Sequence, residues 1–333
     1  MQKVLVTGGT GYIGSHTVVE LLNSGYDVDI VDNLSNSKIE VINAIEKITN
    51  KRPNFHKLDL LDKTSLDSLI DNNHYVFVLH FAGLKAVGES VEKPLLYYRT
   101  NLDSTINIIE AMLVYGVNNF VFSSSATVYG QQESPECIES MQTGSGITNP
   151  YGRTKYMIEE MLKDVHIAHP DFSATLLRYF NPIGNHPSGL IGEDPNGIPN
   201  NIMPVIMRVA TGKIKELSIY GNDYDTPDGT CRRDYIHVVD LAKGHLAAMQ
   251  HAKPGISVYN LGTGKPTSVL ELLAAFETAA GRKMPHIFAP RRSGDVAEMW
   301  ANPNLANQEL NWHTDLTIAD AMRDTLKFLE SQR

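Results

Sequence analysis

The most constraining feature of this chain lies at its start. Lys3-Val4-Leu5-Val6-Thr7 reads as a short apolar strand, runs into Gly8-Gly9-Thr10-Gly11-Tyr12-Ile13-Gly14-Ser15-His16, and continues into the helical spacing of Val18, Val19, Leu21 and Leu22. A strand, a glycine-rich turn and a helix in that order match the dinucleotide fingerprint through Gly9, Gly11 and Gly14. One glycine permits the tight turn, one lets backbone approach a pyrophosphate, and one brings the helix close to the strand. The helix start then offers unpaired N–H groups and a partial positive charge to phosphates. Asp32 ends the second strand, where a carboxylate can accept from adenosine ribose hydroxyls and repels a 2′-phosphate, so NAD is expected over NADP. In another setting the run Asp32-Asn33-Leu34-Ser35-Asn36 would be ordinary turn chemistry. Asp59, after the third strand, is placed to meet the adenine edge.

Strand patterns at 3–7, 28–32, 54–57, 76–80, 120–123 and 174–179 alternate with helical ones at 13–22, 37–48, 66–71, 102–115 and 151–166. The run Val76-Phe77-Val78-Leu79 is apolar without alternation, as a strand covered on both faces requires. The expected fold is therefore α/β, a Rossmann-type doubly wound parallel sheet with a smaller mixed α/β substrate-binding domain. Gly and Pro crowd 182–199, after which helical patterns return at 201–212, 238–251, 269–280 and 318–329, with a strand at 258–261. These changes predict a cofactor domain over 1–180, joined again by segments near 235–262, and a substrate domain over 181–333.

Composition narrows the function classes. The 29 Lys and Arg against 38 Asp and Glu, a net charge of -9, argue against nonspecific nucleic-acid binding, which needs a dense positive face. No apolar run approaches the ~18 residues of a membrane helix, and the strand pattern beginning at Lys3 leaves no room for a signal peptide. A cytoplasmic protein that does not enter membranes is expected. Cys137 and Cys231 are too few for a disulfide framework and lack metal-ligand spacing, so no metal site is expected.

In Asn149-Pro150-Tyr151-Gly152-Arg153-Thr154-Lys155, Pro150 suits the first turn of a helix, so Tyr151 and Lys155 should project from one face. An ammonium beside a phenol favours the phenolate and makes Tyr151 a candidate general base for an alcohol proton. Ser123-Ser124-Ser125-Ala126-Thr127 ends the fifth strand, where ligands of such sheets bind, so Ser125 and Thr127 should face the reacting hydroxyl. Ser124 reads as structural.

Together these residues resemble the extended short-chain dehydrogenase/reductase superfamily. The likeness narrows at His80-Phe81-Ala82-Gly83-Leu84-Lys85-Ala86-Val87-Gly88-Glu89-Ser90, at 123–130, at Leu177-Arg178-Tyr179-Phe180-Asn181-Pro182, and at Gly197-Ile198-Pro199-Asn200-Asn201. With Arg233-Asp234-Tyr235-Ile236-His237-Val238 and Ala289-Pro290-Arg291-Arg292-Ser293-Gly294-Asp295 added, the chain resembles the UDP-glucose 4-epimerase family along nearly its whole length. The resemblance implies bound NAD, a UDP-glucose/UDP-galactose substrate pair, epimerisation through a 4-keto sugar, and a homodimer. It implies Tyr151 as base, Lys155 as its tuning partner and Ser125 as helper. Its cofactor contacts fall on Gly8, Gly11, Tyr12, Ile13, Gly14, Asp32, Asn33, Asn36, Ser37, Asp59, Leu60, Phe81, Ala82, Gly83, Lys85, Asn101, Tyr179 and Phe180, beside the catalytic residues. Its nucleotide-sugar contacts fall on Lys85, Ser125, Thr127, Tyr151, Asn181, Asn201, Ile202, Tyr220, Arg233, Arg292, Asp295 and Met299.

Two departures from the family pattern bear on function. Thr100 stands where close relatives often have a second asparagine before Asn101. Met299 replaces the tyrosine common in glucose/galactose-restricted bacterial relatives, while a small residue there accompanies tolerance of N-acetylhexosamines. Methionine is adaptable and smaller than tyrosine, so UDP-glucose/UDP-galactose should be the main pair with weak activity on UDP-N-acetylhexosamines. Rival readings are a 4,6-dehydratase, which would be expected to carry Asp-Glu where Ala126-Thr127 stand, and a non-catalytic NAD-sensing module, which would need neither the tyrosine-lysine pair nor the arginines.

Overall fold

The computed structural model describes residues 1–196, 199, 201–292 and 294–332. Gly197, Ile198, Asn200 and Ser293 of the motifs above lie outside the described residues.

Seven strands form the main sheet: β1 (Lys3–Thr7), β2 (Asp27–Asp32), β3 (Asn54–Lys57), β4 (Tyr75–His80), β5 (Asn119–Ser125), β7 (Ser173–Tyr179) and β11 (Ile256–Leu261). Their order is β3-β2-β1-β4-β5-β7-β11, every neighbour parallel, so the chain reverses direction across the sheet beside β1. Alternate side chains of β1 feed two cores. Val4 and Val6 pack with Val18, Leu21, Ile42, Ile45 and Leu241 from α1 (Tyr12–Asn23), α2 (Glu40–Thr49) and α9 (Val238–Gln250). Leu5 packs on the other face with Leu66, Ile108, Ile158 and Leu162 from α3 (Lys63–Asp71), α6 (Ser104–Tyr115) and α7 (Pro150–Ala168). Burial on both faces explains the unbroken apolar runs. The ligand crevice of such a sheet lies at the carboxyl ends of β1 and β4.

The remaining strands are short. β10 (Arg232–His237) pairs antiparallel with β12 (Pro266–Ser268) and parallel with β8 (Asn181–Ile183) and β14 (Glu298–Ala301), which in turn pairs with β6 (Glu136–Cys137). A separate parallel pair joins β9 (Leu217–Tyr220) to β13 (His286–Ala289). Ile206, Leu273, Phe276 and Met322 from α8 (Ile202–Ala210), α10 (Val269–Ala280) and α12 (Ile318–Ser331) build a core against this layer. The short helices α4 (Val87–Glu92) and α5 (Pro94–Tyr98) follow β4, and α11 (Asn304–Glu309) packs beside β11.

The α/β doubly wound expectation matches the sheet observed. Of the segment near 235–262, α9 and β11 join the main sheet, whereas Tyr235–His237 belong to the smaller one. Ile236 nevertheless enters the main core while Tyr235 enters the smaller one, so β10 is where the two cores meet. The helix expected from 37 begins at Glu40 because Ser37 Oγ is bonded back to Asp32. A π-turn over Arg99–Asp103 precedes α6 and turns Asn101 inward, where it is 3% exposed.

Candidate active site

The turn after β1 is built for close approach. Gly8 has φ +71°, and a Cβ there would lie 2.7 Å from the Ala82 backbone nitrogen, so the loops after β1 and β4 meet backbone to backbone. At Gly14 a Cβ would lie 2.3 Å from the Gly8 carbonyl, which is how α1 packs so tightly against the turn. Among described residues α1 has no side-chain cap bond and no acid in its first turn, which leaves its first N–H groups to a ligand. Asp32 accepts from Thr10 N–H at 3.2 Å, Leu34 N–H at 2.9 Å and Ser37 Oγ at 3.0 Å. Leu34 sits at φ +61°, a conformation rare for a bulky side chain, and the bond to Asp32 helps hold it. Asn33 donates to Asp59 at 3.0 Å, and Asn36 is exposed beside them. Leu60 is buried in the core under this edge, and Ile13 packs partly buried on the other face. These residues fit a dinucleotide: a glycine cradle with no room for side chains, an uncapped helix start, and carboxylates at the ends of β2 and β3.

Beyond β4, the His245 ring is sandwiched between Phe81 (4.7 Å) and Tyr179 (5.3 Å). Asn101 clamps the loop that carries Gly83: its Oδ1 accepts from Leu84 N–H at 2.8 Å, and its Nδ2 donates to the Leu84 carbonyl and to Thr154. Lys85 Nζ pairs with Glu193 at 3.0 Å.

Tyr151 stands at the carboxyl end of β5. Asn149 caps α7 by accepting from Gly152 N–H at 2.8 Å, and Pro150 occupies the first helical position. A Cβ on Gly152 would lie 3.1 Å from Thr127 Cβ, so the glycine lets the helix start settle on the strand end. Ser125 Oγ accepts from Thr127 N–H at 3.2 Å and Oγ1 at 3.0 Å, and it lies near enough to the Tyr151 hydroxyl to ease its ionisation. Tyr179 donates to Ser123 Oγ alongside. Ser124 donates to Glu159, which is locked to Arg178 by bonds of 3.0 and 2.6 Å and belongs to the core.

Tyr151 and Lys155 share a helix face without a hydrogen bond between them. Lys155 follows Tyr151 by one turn, yet its Nζ lies 5.9 Å from the Tyr151 ring centre and donates to the Ser123 carbonyl at 2.7 Å. Burial dominates both groups: it raises the Tyr151 hydroxyl above the usual tyrosine value, with the Ser125 hydrogen bond opposing, and it pulls the Lys155 ammonium down to about 7.

Of the residues expected to meet the nucleotide sugar, Tyr220, Arg233, Arg292 and Asp295 come together from distant segments. Arg292 Nε donates to Asp295 at 2.9 Å and its guanidinium stacks 5.0 Å from the Tyr220 ring centre, while Arg233 lies 4.0 Å from Asp295. A Cβ on Gly294 would lie 2.8 Å from Thr148, which seats this loop against the approach to Tyr151. Met299 is opposite Arg233 in the β10–β14 register and packs with Phe180, Val128 and Tyr129. Asn181 opens β8, and Asn201 and Ile202 start α8. Thr10, Asn149 and Glu193 also shape the site. Asn-Pro before a helical pattern signals the Asn149 cap, but no local pattern marks Thr10 or Glu193. Among the described residues, no group of three His, Cys, Asp or Glu could hold a metal ion.

The NAD dependent epimerase/dehydratase family matches residues 4–262. A UDP-glucose 4-epimerase of Bacillus subtilis (strain 168) is 53% identical over 98% of this chain and 97% of its own length. The chain belongs to the UDP-glucose 4-epimerases. A Bifidobacterium longum UDP-glucose 4-epimerase, solved in complex with NAD+ and UDP, superposes with TM-score 0.96 at 50% identity, covering 99% of this chain and 98% of its own. A Campylobacter jejuni UDP-Glc/GlcNAc 4-epimerase gives TM-score 0.86 at 34% identity, covering 99% of this chain and 100% of that one. Membership of the 4-epimerases also explains why Ala126-Thr127 stands where a dehydratase would be expected to place acids.

Proposed function

We propose that the chain interconverts UDP-glucose and UDP-galactose at the hexose 4-carbon, with Tyr151 as general base. The observation that carries this is the placing of Tyr151, Ser125 and Thr127 at the end of β5, in the same parallel sheet as the phosphate turn after β1, with the loop of Arg292 and Asp295 seated on Thr148 just before Tyr151. Gly8, Gly11, Tyr12, Ile13, Gly14, Asp32, Asn33, Asn36, Ser37, Asp59, Leu60, Phe81, Ala82, Gly83, Lys85, Asn101, Tyr179 and Phe180 surround the cofactor. Bound NAD supplies a positive charge and a reversible acceptor for the C4 hydrogen as hydride.

Tyr151 takes the proton from the 4-hydroxyl while Ser125 holds that hydroxyl in place, and Thr127 anchors Ser125. Lys155, held by the Ser123 carbonyl one turn along α7 from Tyr151, is placed to favour the ionised phenol when its ammonium is protonated. Arg233 and Arg292 bind the diphosphate, Tyr220 lies along uracil, and Asp295 takes ribose hydroxyls. Asn181, Asn201 and Ile202 line the sugar nucleotide. Holding the molecule by its diphosphate leaves the hexose free to turn and present either face of the 4-keto sugar. Met299 leaves room for weak turnover of UDP-N-acetylhexosamines.

Residues 1–180 with 238–262 form the cofactor unit and the rest mainly holds the UDP-sugar. The partner is a second copy of the chain: Leu95 and Leu96 of α5 and Met157 of α7 are 80, 46 and 44% exposed on packed helices, an apolar face suited to a homodimer. The setting is cytoplasmic, with neither nucleic acid nor membrane as partner, and no helix among the described residues is long and apolar enough to cross a membrane.

Incubating the purified protein with UDP-galactose and no added cofactor tests the reaction. UDP-glucose formed without net nicotinamide reduction is the expected result, and a lasting 4-keto-6-deoxy product would establish a dehydratase instead.

A further inference from the structure

We infer that Glu193 is a positioning residue that couples the cofactor side of the site to the nucleotide-sugar side by holding Lys85 and Asn201 on a single carboxylate oxygen. The inference rests on the placement of Lys85 beside the cofactor and Asn201 beside the sugar nucleotide.

Glu193 is 4% exposed, in the loop between β8 and α8. Its Oε1 accepts from Lys85 Nζ at 3.0 Å and from Asn201 Nδ2 at 2.5 Å. Its own N–H donates to Asn185 Oδ1 at 3.0 Å, which fixes the backbone from which the side chain reaches. The other oxygen, Oε2, is buried with no hydrogen-bond partner among the described residues.

That arrangement does not suit an acid kept for stability. Glu159 shows what such an acid looks like: it is fully buried, and both of its oxygens are engaged by Ser124 and Arg178. Leaving one oxygen of a buried carboxylate unpaired costs folding energy. Glu193 meanwhile loads both partners onto the other oxygen, so the movement of one partner is felt by the second.

Asn201 carries the complementary sign. It occupies the N-cap of α8, where an asparagine side chain usually accepts from the first-turn N–H groups, yet here it makes no cap bond. Its amide is turned to Glu193 instead. On the opposite side, Lys85 Nζ lies 5.9 Å from the ring centre of Tyr12, the first residue of α1, and the charge of Glu193 adds to the burial that raises the Tyr12 hydroxyl. One carboxylate therefore links the loop after β4, the start of α1 and the start of α8.

A double-mutant cycle on the holoenzyme tests the coupling. Lys85→Met, Asn201→Ala and the double variant are compared for kcat and KM on UDP-galactose, in the wild-type background and with Glu193→Gln. Glu193→Gln alone is expected to raise KM about tenfold while kcat per bound NAD falls less than about threefold. In the wild-type background the two substitutions are expected to be non-additive by about fivefold or more, and in the Glu193→Gln background additive within about twofold. An unchanged KM with a lowered yield of active protein would mean a purely structural role and overturn the inference. Should Glu193→Gln not fold, the Lys85/Asn201 cycle decides alone, and additivity there overturns it. Wild-type protein that fails to convert UDP-galactose would overturn the assigned reaction itself, a result separable from active enzyme with additive substitutions.

Discussion

Lys155 Nζ stands 5.9 Å from the centre of the Tyr151 ring and gives its hydrogen bond to the Ser123 carbonyl. The lysine thus makes no hydrogen bond to the phenol, whose ionisation burial opposes and the Ser125 hydroxyl eases. Ser123 also accepts from Tyr179, so one residue of β5 holds two site side chains.

Tyr151→Phe removes the proton acceptor and keeps the ring. Turnover of UDP-galactose is expected to fall by about 10²–10⁴-fold, while bound NAD, measured by absorbance after denaturation, stays at the wild-type level. Near-normal activity would exclude Tyr151 as the base.

Met299 is the residue proposed to set the width of the sugar pocket. Met299→Ala is expected to raise kcat/KM for UDP-N-acetylglucosamine relative to UDP-glucose by about tenfold, and Met299→Tyr to lower it, since one or two methylenes in such a pocket are worth roughly that factor. Equal ratios across all three proteins would show that residue 299 does not control the choice.

Three buried imidazoles make the fold acid-sensitive. Burial pulls His16 and His80 down to about 3 and His245 down to about 4. Unfolded histidine titrates near ~6.5, so below that pH the unfolded chain binds protons that the folded chain does not. Stability contributed by these groups is complete above about pH 6.5 and falls toward about pH 4 for His245 and about pH 3 for His16 and His80, by up to ~1.4 kcal/mol per pH unit for each group. Denaturant unfolding at about pH 7 and about pH 5 measures it; equal stability at both would contradict the burial assigned to these rings.

Arg178 and Glu159, 3 and 0% exposed, should be coupled strongly. Arg178→Met leaves an unpaired buried carboxylate and is expected to cost about 3–5 kcal/mol, whereas the double change to Met and Leu should restore much of the loss. Urea midpoints of the single and double variants provide the check.

Legibility in the sequence followed local chemistry. The bounds read for β1, β3 and α10 coincide with those observed, because a sharp change of pattern marks each end, and for α10 a Ser268–Glu271 capping box. The strands β6, β8, β9, β12, β13 and β14 were illegible, being two to four residues long and set by pairing rather than by their own periodicity. The same distinction applies within the site. Gly8, Gly14 and Asn149 announce themselves because their roles are backbone roles. The acceptor chosen by Lys155 and the double grip of Glu193 depend on residues far away in the chain, which no spacing encodes.

The seat of β11 at the end of the main sheet has a consequence for synthesis. Its neighbour β7 ends at Tyr179, but β11 closes that flank only when Leu261 has been made. At ~5–20 residues per second, a nascent chain waits several seconds with the β7 edge uncovered. An unpaired parallel edge is a template for stray pairing. A ribosome stalled over the intervening residues would therefore present the cell with an unfinished sheet.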